Sequence, residues 1–235
     1  MRVFVINLER SADRRQAMSA RLTNLGIEHT FFRAVDGACG EHLTAGRFRP
    51  GLAARYGGFL SPGEAACFAS HARLWAECEA LGEPITVLED DVDLDDRFPE
   101  ALRKAEVAIA GGAIFVRLCG LIQRPHVDVS DAGDGYRIVR YLKGPSGSQA
   151  YALTPEAGRR FAAEAQEWAE PVDDFVDRFW LHGVPSMAVL PYRASRAPVA
   201  STIGTRQRLS VGARWQRKVR RAIDTVRRTA HNSIA

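Results

Sequence analysis

No apolar run in this 235-residue chain approaches the ~18 residues of a membrane-spanning helix. The opening Met1-Arg2-Val3-Phe4-Val5-Ile6-Asn7-Leu8-Glu9-Arg10 is broken by charge too soon for a secretory signal. A cytosolic location is therefore expected. Cysteine is scarce: Cys39, Cys67, Cys78 and Cys119 lack CxxC spacing and sit scattered among apolar neighbours, which argues against a disulfide framework and against a zinc site built from them. Internal repeats and low-complexity segments are also missing. With 46% hydrophobic, 26% charged and 9% aromatic residues, what remains is an ordinary globular composition, enough for one large domain.

Charge is unevenly placed. Residues 206–235 carry nine Lys/Arg against one acid, Asp224, and so are net +8. The whole chain is +4, which leaves −4 for residues 1–205. The basic pI belongs to the tail, and the mildly acidic body gives no support for nucleic-acid binding. Between Trp215 and Ala230, the residues Trp215, Val219, Ala222, Ile223, Val226 and Ala230 fall within about a 100° stripe at helical period. Arg217, Arg220, Arg221, Arg227 and Arg228 take the other side. This basic amphipathic pattern predicts a helix lying on an anionic membrane surface. A helix packed on the acidic body and a disordered basic tail are the competing readings.

Along the body, short β-branched runs alternate with helical patterns. Val3–Leu8 reads as a buried strand. A helix follows, with Ser11 as N-cap, Met18, Leu22 and Leu25 as its stripe, and Gly26 at its end. A strand over Thr30–Val35 runs into Asp36-Gly37, and the Gly-rich stretch 37–59 reads as an irregular lid or binding loop. Ser61-Pro62-Gly63-Glu64 is a capping box with proline at the first helical position. Its helix, to about Leu81, sets Glu64, Phe68, His71, Trp75 and Cys78 on one face. Pro84–Leu88 is the next strand. A helix near Pro99–Ile109, a strand near Ala113–Leu118 and a strand pair, Tyr136–Leu142 and Gln149–Leu153, follow; Gly144-Pro145-Ser146-Gly147 reads as the turn of that pair. Thr154-Pro155 opens another helix, and Asp173–Leu181 one more. The alternation predicts an α/β fold with a mostly parallel central sheet over residues 1–205, and 206–235 as a separate tail.

Glu89-Asp90-Asp91-Val92-Asp93 follows the strand Pro84–Leu88, where an open α/β sheet binds ligands. Four acids so close repel one another unless something positive sits among them. Mg²⁺ or Mn²⁺ suits such oxygen ligands and keeps positions for phosphates, whereas the bland reading is a solvated acidic turn. His71 shares a helix face with Glu64, and burying both without a polar purpose would be costly. Asp173 and Asp174 stand at a helix start, where Asp173 could serve as an N-cap and Asp174 could favour the helix dipole. Arg10, Arg14 and Arg15, beside a strand end, could meet phosphate.

These pieces, in this order, resemble glycosyltransferase family 25, the lipopolysaccharide and lipooligosaccharide sugar transferases. The blocks are Val5 to Arg15, Ala34-Val35-Asp36-Gly37, Leu60 to His71, Val87-Leu88-Glu89-Asp90-Asp91-Val92, Gly147-Ser148-Gln149-Ala150-Tyr151, Pro171-Val172-Asp173-Asp174 and Ser201-Thr202-Ile203. The resemblance implies a GT-A-type fold, a UDP-sugar donor with galactose commonest, inversion at the anomeric carbon, and a glycan or lipid-linked glycan acceptor; the basic tail and a lipid-linked acceptor would together place the chain at the cytoplasmic face of the inner membrane. The resemblance also implies Asn7, Arg10, Arg14, Asp36, His71, Glu89 and Asp90 near the nucleotide-sugar, and Asp91 as a ligand to Mn²⁺ or Mg²⁺; Asp93 forms an additional DxD with Asp91, at a position where many family members lack an acid. Asp173, Asp174 and Glu64 are the candidates for the base that deprotonates the acceptor. A metal-dependent nucleotidyltransferase or phosphohydrolase could also use the clustered acids, but would leave the Ser61–His71 block unexplained. A degenerate nucleotide-sugar-binding or membrane scaffold protein is the non-enzymatic alternative.

Overall fold

Val3, Phe4, Val5 and Ile6 are all buried, as a strand covered on both faces requires. They form β1 (Arg2–Asn7). The computed structural model describes residues 1–44, 48, 60–168, 170–197 and 211–234. β1 pairs in parallel with β2 (Thr30–Arg33) on one side and β3 (Ile85–Glu89) on the other. The two crossover helices cover opposite faces. Helix α1 (Ala12–Asn24) packs Met18 and Leu22 with Val3 and Val5, while α2 (Pro62–Leu81) packs Phe68, Leu74 and Trp75 with Phe4 and Ile6. The capping box at the start of α2 is formed in both directions, and Glu64, Phe68, His71, Trp75 and Cys78 are all buried. Ser11, by contrast, makes no side-chain cap for α1.

The chain continues through β4 (Val92–Leu94), α3 (Phe98–Ala110), β5 (Phe115–Arg117), β6 (His126–Gly133), β7 (Tyr136–Tyr141), β8 (Ala150–Leu153), α4 (Pro155–Glu164), α5 (Val172–Val176), α6 (Phe179–His182), β9 (Met187–Leu190), β10 (Ala194–Arg196) and α7 (Val211–Ile234). The main sheet runs β2-β1-β3-β8-β5-β9-β7-β6, and β10 pairs separately with β4.

The α/β class holds, but the sheet is mixed. β8 enters antiparallel between β3 and β5, and β7 is antiparallel to both β6 and β9. The expected pairing of β7 with β8 is thus replaced, and Gly144–Gly147 is a crossing loop. The burial explains it: all four β8 residues are buried, as the sheet interior demands, while β6 and the Asp134-Gly135 turn form the hairpin beside β7. The expected single helix Asp173–Leu181 divides into α5 and α6 at Asp177 and Arg178, whose side chains are drawn to Arg117 and to Glu170 and Asp224. Pro171 occupies the cap position of α5, and Asp173 and Asp174 stand in its first turn. The Ser201-Thr202-Ile203 block, the 205/206 boundary and most of the 37–59 stretch lie outside the described residues.

Beneath α2 lies an aromatic core. Trp75 and Phe161 have ring centroids 4.9 Å apart, and Phe68 and Phe175 are 5.2 Å apart. α4 approaches α2 at Gly158, where an added Cβ would lie 2.6 Å from the Trp75 carbonyl oxygen. Gly158→Ala is therefore expected to cost about 1–3 kcal/mol through overpacking. Gly212→Ala, where nothing lies within 4 Å, should be neutral or slightly stabilising. Urea unfolding of both variants checks this, and equal midpoints would mean that the helices do not meet at Gly158.

Candidate active site

The carboxyl ends of β1, β2 and β3 open into one cleft of about 280 Å³. Leu8 and Arg10 come from the β1–α1 turn, Arg14 from the first turn of α1, and Val35-Asp36-Gly37 from just beyond β2. Pro62, Gly63, Ala66, Cys67, Ser70 and His71 come from the first half of α2, and Glu89-Asp90-Asp91 from the end of β3. Gly37 is needed there, since any Cβ would run into the Pro62 backbone. A second hollow follows the β6–β7 hairpin from Asp128 to Arg137 and shares no residue with this cleft. Its lining is surface strand and turn, so the cleft is the candidate site.

The three consecutive carboxylates are handled in three ways. Asp90 accepts from Asn7 Nδ2 at 2.7 Å and from Arg14 Nη1 at 3.1 Å. Glu89 accepts from Ser148 Oγ at 2.6 Å and faces His71 Nε2 at 3.4 Å. Burial would push its carboxyl upward, but His71 and Ser148 hold it below the usual carboxylate range. Asp91 has weaker support, with Arg14 Nη1 standing 4.0 Å from its Oδ2. Burial, then the charges of Glu89 and Asp90, push it up to about 6, with Arg14 and Arg196 offsetting only part. Its Oδ1 is buried without a hydrogen-bond partner. An orphaned carboxylate oxygen in a field of like charge fits a hard divalent cation.

A buried chain of polar groups sits behind Glu89. Trp75 Nε1 donates to Tyr151 Oη at 3.1 Å, and Tyr151 Oη lies 2.8 Å from His71 Nδ1. Burial pushes the Tyr151 phenol well up, so it keeps its proton. Trp75 donates to the phenol oxygen, the phenol and Nδ1 share a hydrogen bond, and the other ring nitrogen, Nε2, faces Glu89. Cys67 joins this corner: its sulfur, a His71 nitrogen and a Glu89 oxygen all lie within 4.8 Å of one another. Burial, then Glu89, Asp173, Asp91 and Glu64, push the Cys67 thiol well up, so it is no thiolate nucleophile.

The sequence-predicted residues divide accordingly. Arg10, Arg14, Asp36, His71, Glu89, Asp90 and Asp91 line the cleft, and Asn7 stands behind Asp90. Arg10 and Asp36 form an ion pair at 2.6 Å. Glu64 is buried, with Oε2 accepting from Ser61 N at 2.9 Å as part of the cap. Asp93 is exposed on β4 and does not line the cleft. Asp173 is half-buried with its field reaching Cys67, whereas Asp174 is exposed. Three residues escaped sequence reasoning as site residues. Ser148 and Tyr151 lay inside a recognised block without an assigned role. Arg196 had no local signal: the pairing of β10 with β4 brings it beside the acidic motif, and Ala197 N donates to Asp91 O at 3.1 Å.

The fold and cleft suit a phosphate-bearing ligand beside a divalent cation. A family model described as glycosyltransferase family 25 (LPS biosynthesis protein) matches residues 1–176, and the chain belongs to that family. It is 32% identical over 184 residues to a lacto-N-neotetraose biosynthesis glycosyltransferase of Neisseria gonorrhoeae, covering 74% of this chain and 65% of that protein. A glycosyltransferase 25 family member of Drosophila pseudoobscura pseudoobscura is 30% identical over 193 residues, 74% of this chain and 29% of that protein. The human inactive glycosyltransferase 25 family member 3 is 37% identical over 111 residues, 43% of this chain and 18% of that protein. The chain spans only 17–34% of the length of three insect relatives, in Drosophila and Aedes.

Tyr151→Phe would leave Trp75 Nε1 and His71 Nδ1 buried without their shared partner. The expected loss is about 1–3 kcal/mol of stability, read by urea unfolding. An unchanged midpoint would show that the phenol is not the link between them.

Proposed function

We propose that this chain transfers a hexose, galactose as first candidate, from a UDP-sugar to a hydroxyl of a lipopolysaccharide-type or other glycan, with inversion and with Mn²⁺ or Mg²⁺. The observation that carries this reading is Asp91, a cleft carboxylate with one orphaned buried oxygen and a pKa raised by its acidic neighbours. Asp91 would hold the cation, which when bound supplies Lewis-acid stabilisation to the departing nucleoside diphosphate. Asp90 is pinned by Asn7 and Arg14, so it orients that turn. Arg10, Arg14 and Arg196 offer positive charge to phosphate oxygens. Glu89, fixed by Ser148 and facing His71, is placed to accept hydrogen bonds from ribose or sugar hydroxyls.

The acceptor oxygen would attack the anomeric carbon from the face opposite the diphosphate. Its bond forms as the bond to the leaving phosphate oxygen breaks, which inverts the centre. Asp173 would take the acceptor proton, worth roughly 10²–10⁴-fold. It is favoured over Glu64, whose carboxylate is committed to the helix cap, and over Asp174, which is exposed. A lipid-linked acceptor would place this reaction at the cytoplasmic face of the inner membrane. A degenerate member that only binds donor is the reading that the human inactive relative brings forward. UDP release from a donor panel separates turnover from binding.

Asp91 also links stability to the metal. Its folded pKa is raised, so its charged form costs stability that is intact at low pH and lost as pH rises through about 6. Without metal at neutral pH, Asp91→Asn should raise the melting temperature by roughly 2–4 °C, the equivalent of ~1 kcal/mol. Added Mn²⁺ should raise the melting temperature of the parent chain but not of the variant, and the variant should lose Mn²⁺-dependent turnover. An Asn variant that is still stabilised by Mn²⁺ and still active would remove Asp91 as the ligand.

Asp173→Asn tests the base. Donor binding should remain near normal while transfer slows by at least about tenfold. Full transfer by Asp173→Asn would return the role to Asp174 or Glu64.

A further inference from the structure

Helix α7 meets the rest of the protein through its polar side chains. Arg178 donates to both carboxylate oxygens of Asp224, at 2.9 and 3.1 Å, and to Glu170 at 2.7 Å. The other Glu170 oxygen accepts from Arg220 at 2.9 Å. Asn232 Nδ2 donates to Leu142 O at 2.9 Å, Arg228 lies over the Trp180 ring, and the His231 ring lies 5.4 Å from that of Phe179. Arg220, Asp224, Arg228, His231 and Asn232 are all half-buried. At 100° per residue they span an arc of about 120°.

The apolar residues occupy the opposite arc, centred about 180° away. Val211 is 74% exposed, Trp215 67%, Val226 69%, Ile223 46% and Val219 39%. A helix packed on a globular body normally turns its apolar stripe inward. This one turns it outward, and the ion pairs of Glu170, Arg178, Arg220 and Asp224 hold it so. Exposed Arg214, Lys218 and Arg221 border the stripe on one side and exposed Arg227 on the other.

We infer that the outer face of α7 is a docking surface for an anionic lipid bilayer. Trp215, Val219, Ile223 and Val226 enter the boundary between headgroups and acyl chains, and the bordering cations meet lipid phosphates. The charge identifies the occupant. A second copy of the chain laid stripe to stripe would bring the same cationic borders together, whereas an anionic surface meets them with attraction. No helix among the described residues is long and apolar enough to cross a membrane, which leaves α7 to lie in the plane of the surface. Because α7 is fixed to the body by its inner face, lipid binding would orient the whole domain as well as tether it.

Sedimentation of the full chain with phosphatidylcholine vesicles, with and without phosphatidylglycerol, tests this without donor or acceptor. Failure of sugar transfer would leave the result untouched. The chain should bind the phosphatidylglycerol vesicles at about 0.1 M salt and much more weakly at about 1 M, where the Debye length falls from ~10 to ~3 Å. The triple variant Arg214→Gln, Lys218→Gln, Arg221→Gln should lose roughly 10²-fold at low salt. The double variant Trp215→Ser, Val226→Ser alters only exposed side chains, and should keep its circular dichroism while losing at least about tenfold in vesicle affinity. Equal sedimentation with neutral and anionic vesicles, parent-like binding by the double variant, or self-association abolished by that variant would overturn the assignment.

Discussion

Three carboxylates in a row at the end of β3 set the central constraint on this structure. Like charges at that spacing cannot all stay ionised and half-buried unless each finds a donor, a cation or a proton. The fold brings partners from five separate places: Asn7 from the end of β1, Arg14 from the start of α1, His71 from α2, Ser148 from the crossing loop, and Arg196 from β10. They satisfy Glu89 and Asp90 and leave Asp91 short. Asn7 Oδ1, His71 Nε2 and Asp91 Oδ1 are all buried there without a hydrogen-bond partner, and Asp91 Oδ1 is the one on a carboxylate of the motif, which is more informative than the motif's acidity alone.

One of those partners depends on an ion pair remote in sequence. Arg117, 2% exposed, pairs with Asp177, donates from Nη1 to Gly147 O at 2.6 Å, and donates from Nε to Ser186 Oγ at 3.1 Å. The other Asp177 oxygen accepts from Ser146 N at 2.9 Å. Gly144 leaves room for that carboxylate, which any Cβ would strike. The pair therefore fixes the loop from Gly144 to Ser148, with Ser146 and Gly147 both at positive φ, and so delivers Ser148 to Glu89. Breaking such a buried pair costs about 3–5 kcal/mol, since either partner alone is an uncompensated charge. It also explains two departures from sequence expectation, because the same loop cannot serve as a hairpin turn and Asp177 cannot stay within a continuous helix.

What the sequence made legible was local. The capping box at Ser61, the buried run of β1 and the acid cluster at a strand end each carry their signal within a few residues, and each folds as its chemistry requires. The position of β8 between β3 and β5 is long-range, and a strand buried on both faces does not name its neighbours. Asp134-Gly135 was readable as a hairpin turn, both residues having positive φ, and Val127 and Val129 alternate with polar residues as in a half-buried strand, although both are exposed in β6. Arg196 was invisible for the same reason as β8: strand pairing, not spacing, carries it to the acidic motif. The amphipathic pattern of the tail predicted a helix, and a helix is there. Which face it would turn to the body depends on Glu170 and Arg178, about fifty residues earlier.

Family membership alone does not decide between a working transferase and a retained shell, since one human relative bears the word inactive in its name. Asp91 bears on that choice. A protein kept only as a scaffold gains nothing from a partly buried carboxylate raised to about 6 with one oxygen unpaired, because relieving it would stabilise the fold. Any of several substitutions would do so, Asn being the simplest. Local strain of this kind persists where function requires it. The neighbouring groups sharpen the point, for Glu89 and Asp90 show that the same turn can supply a carboxylate with protein donors. The deficit at Asp91 is the physical ground on which the proposed metal-assisted reading of the cleft rests.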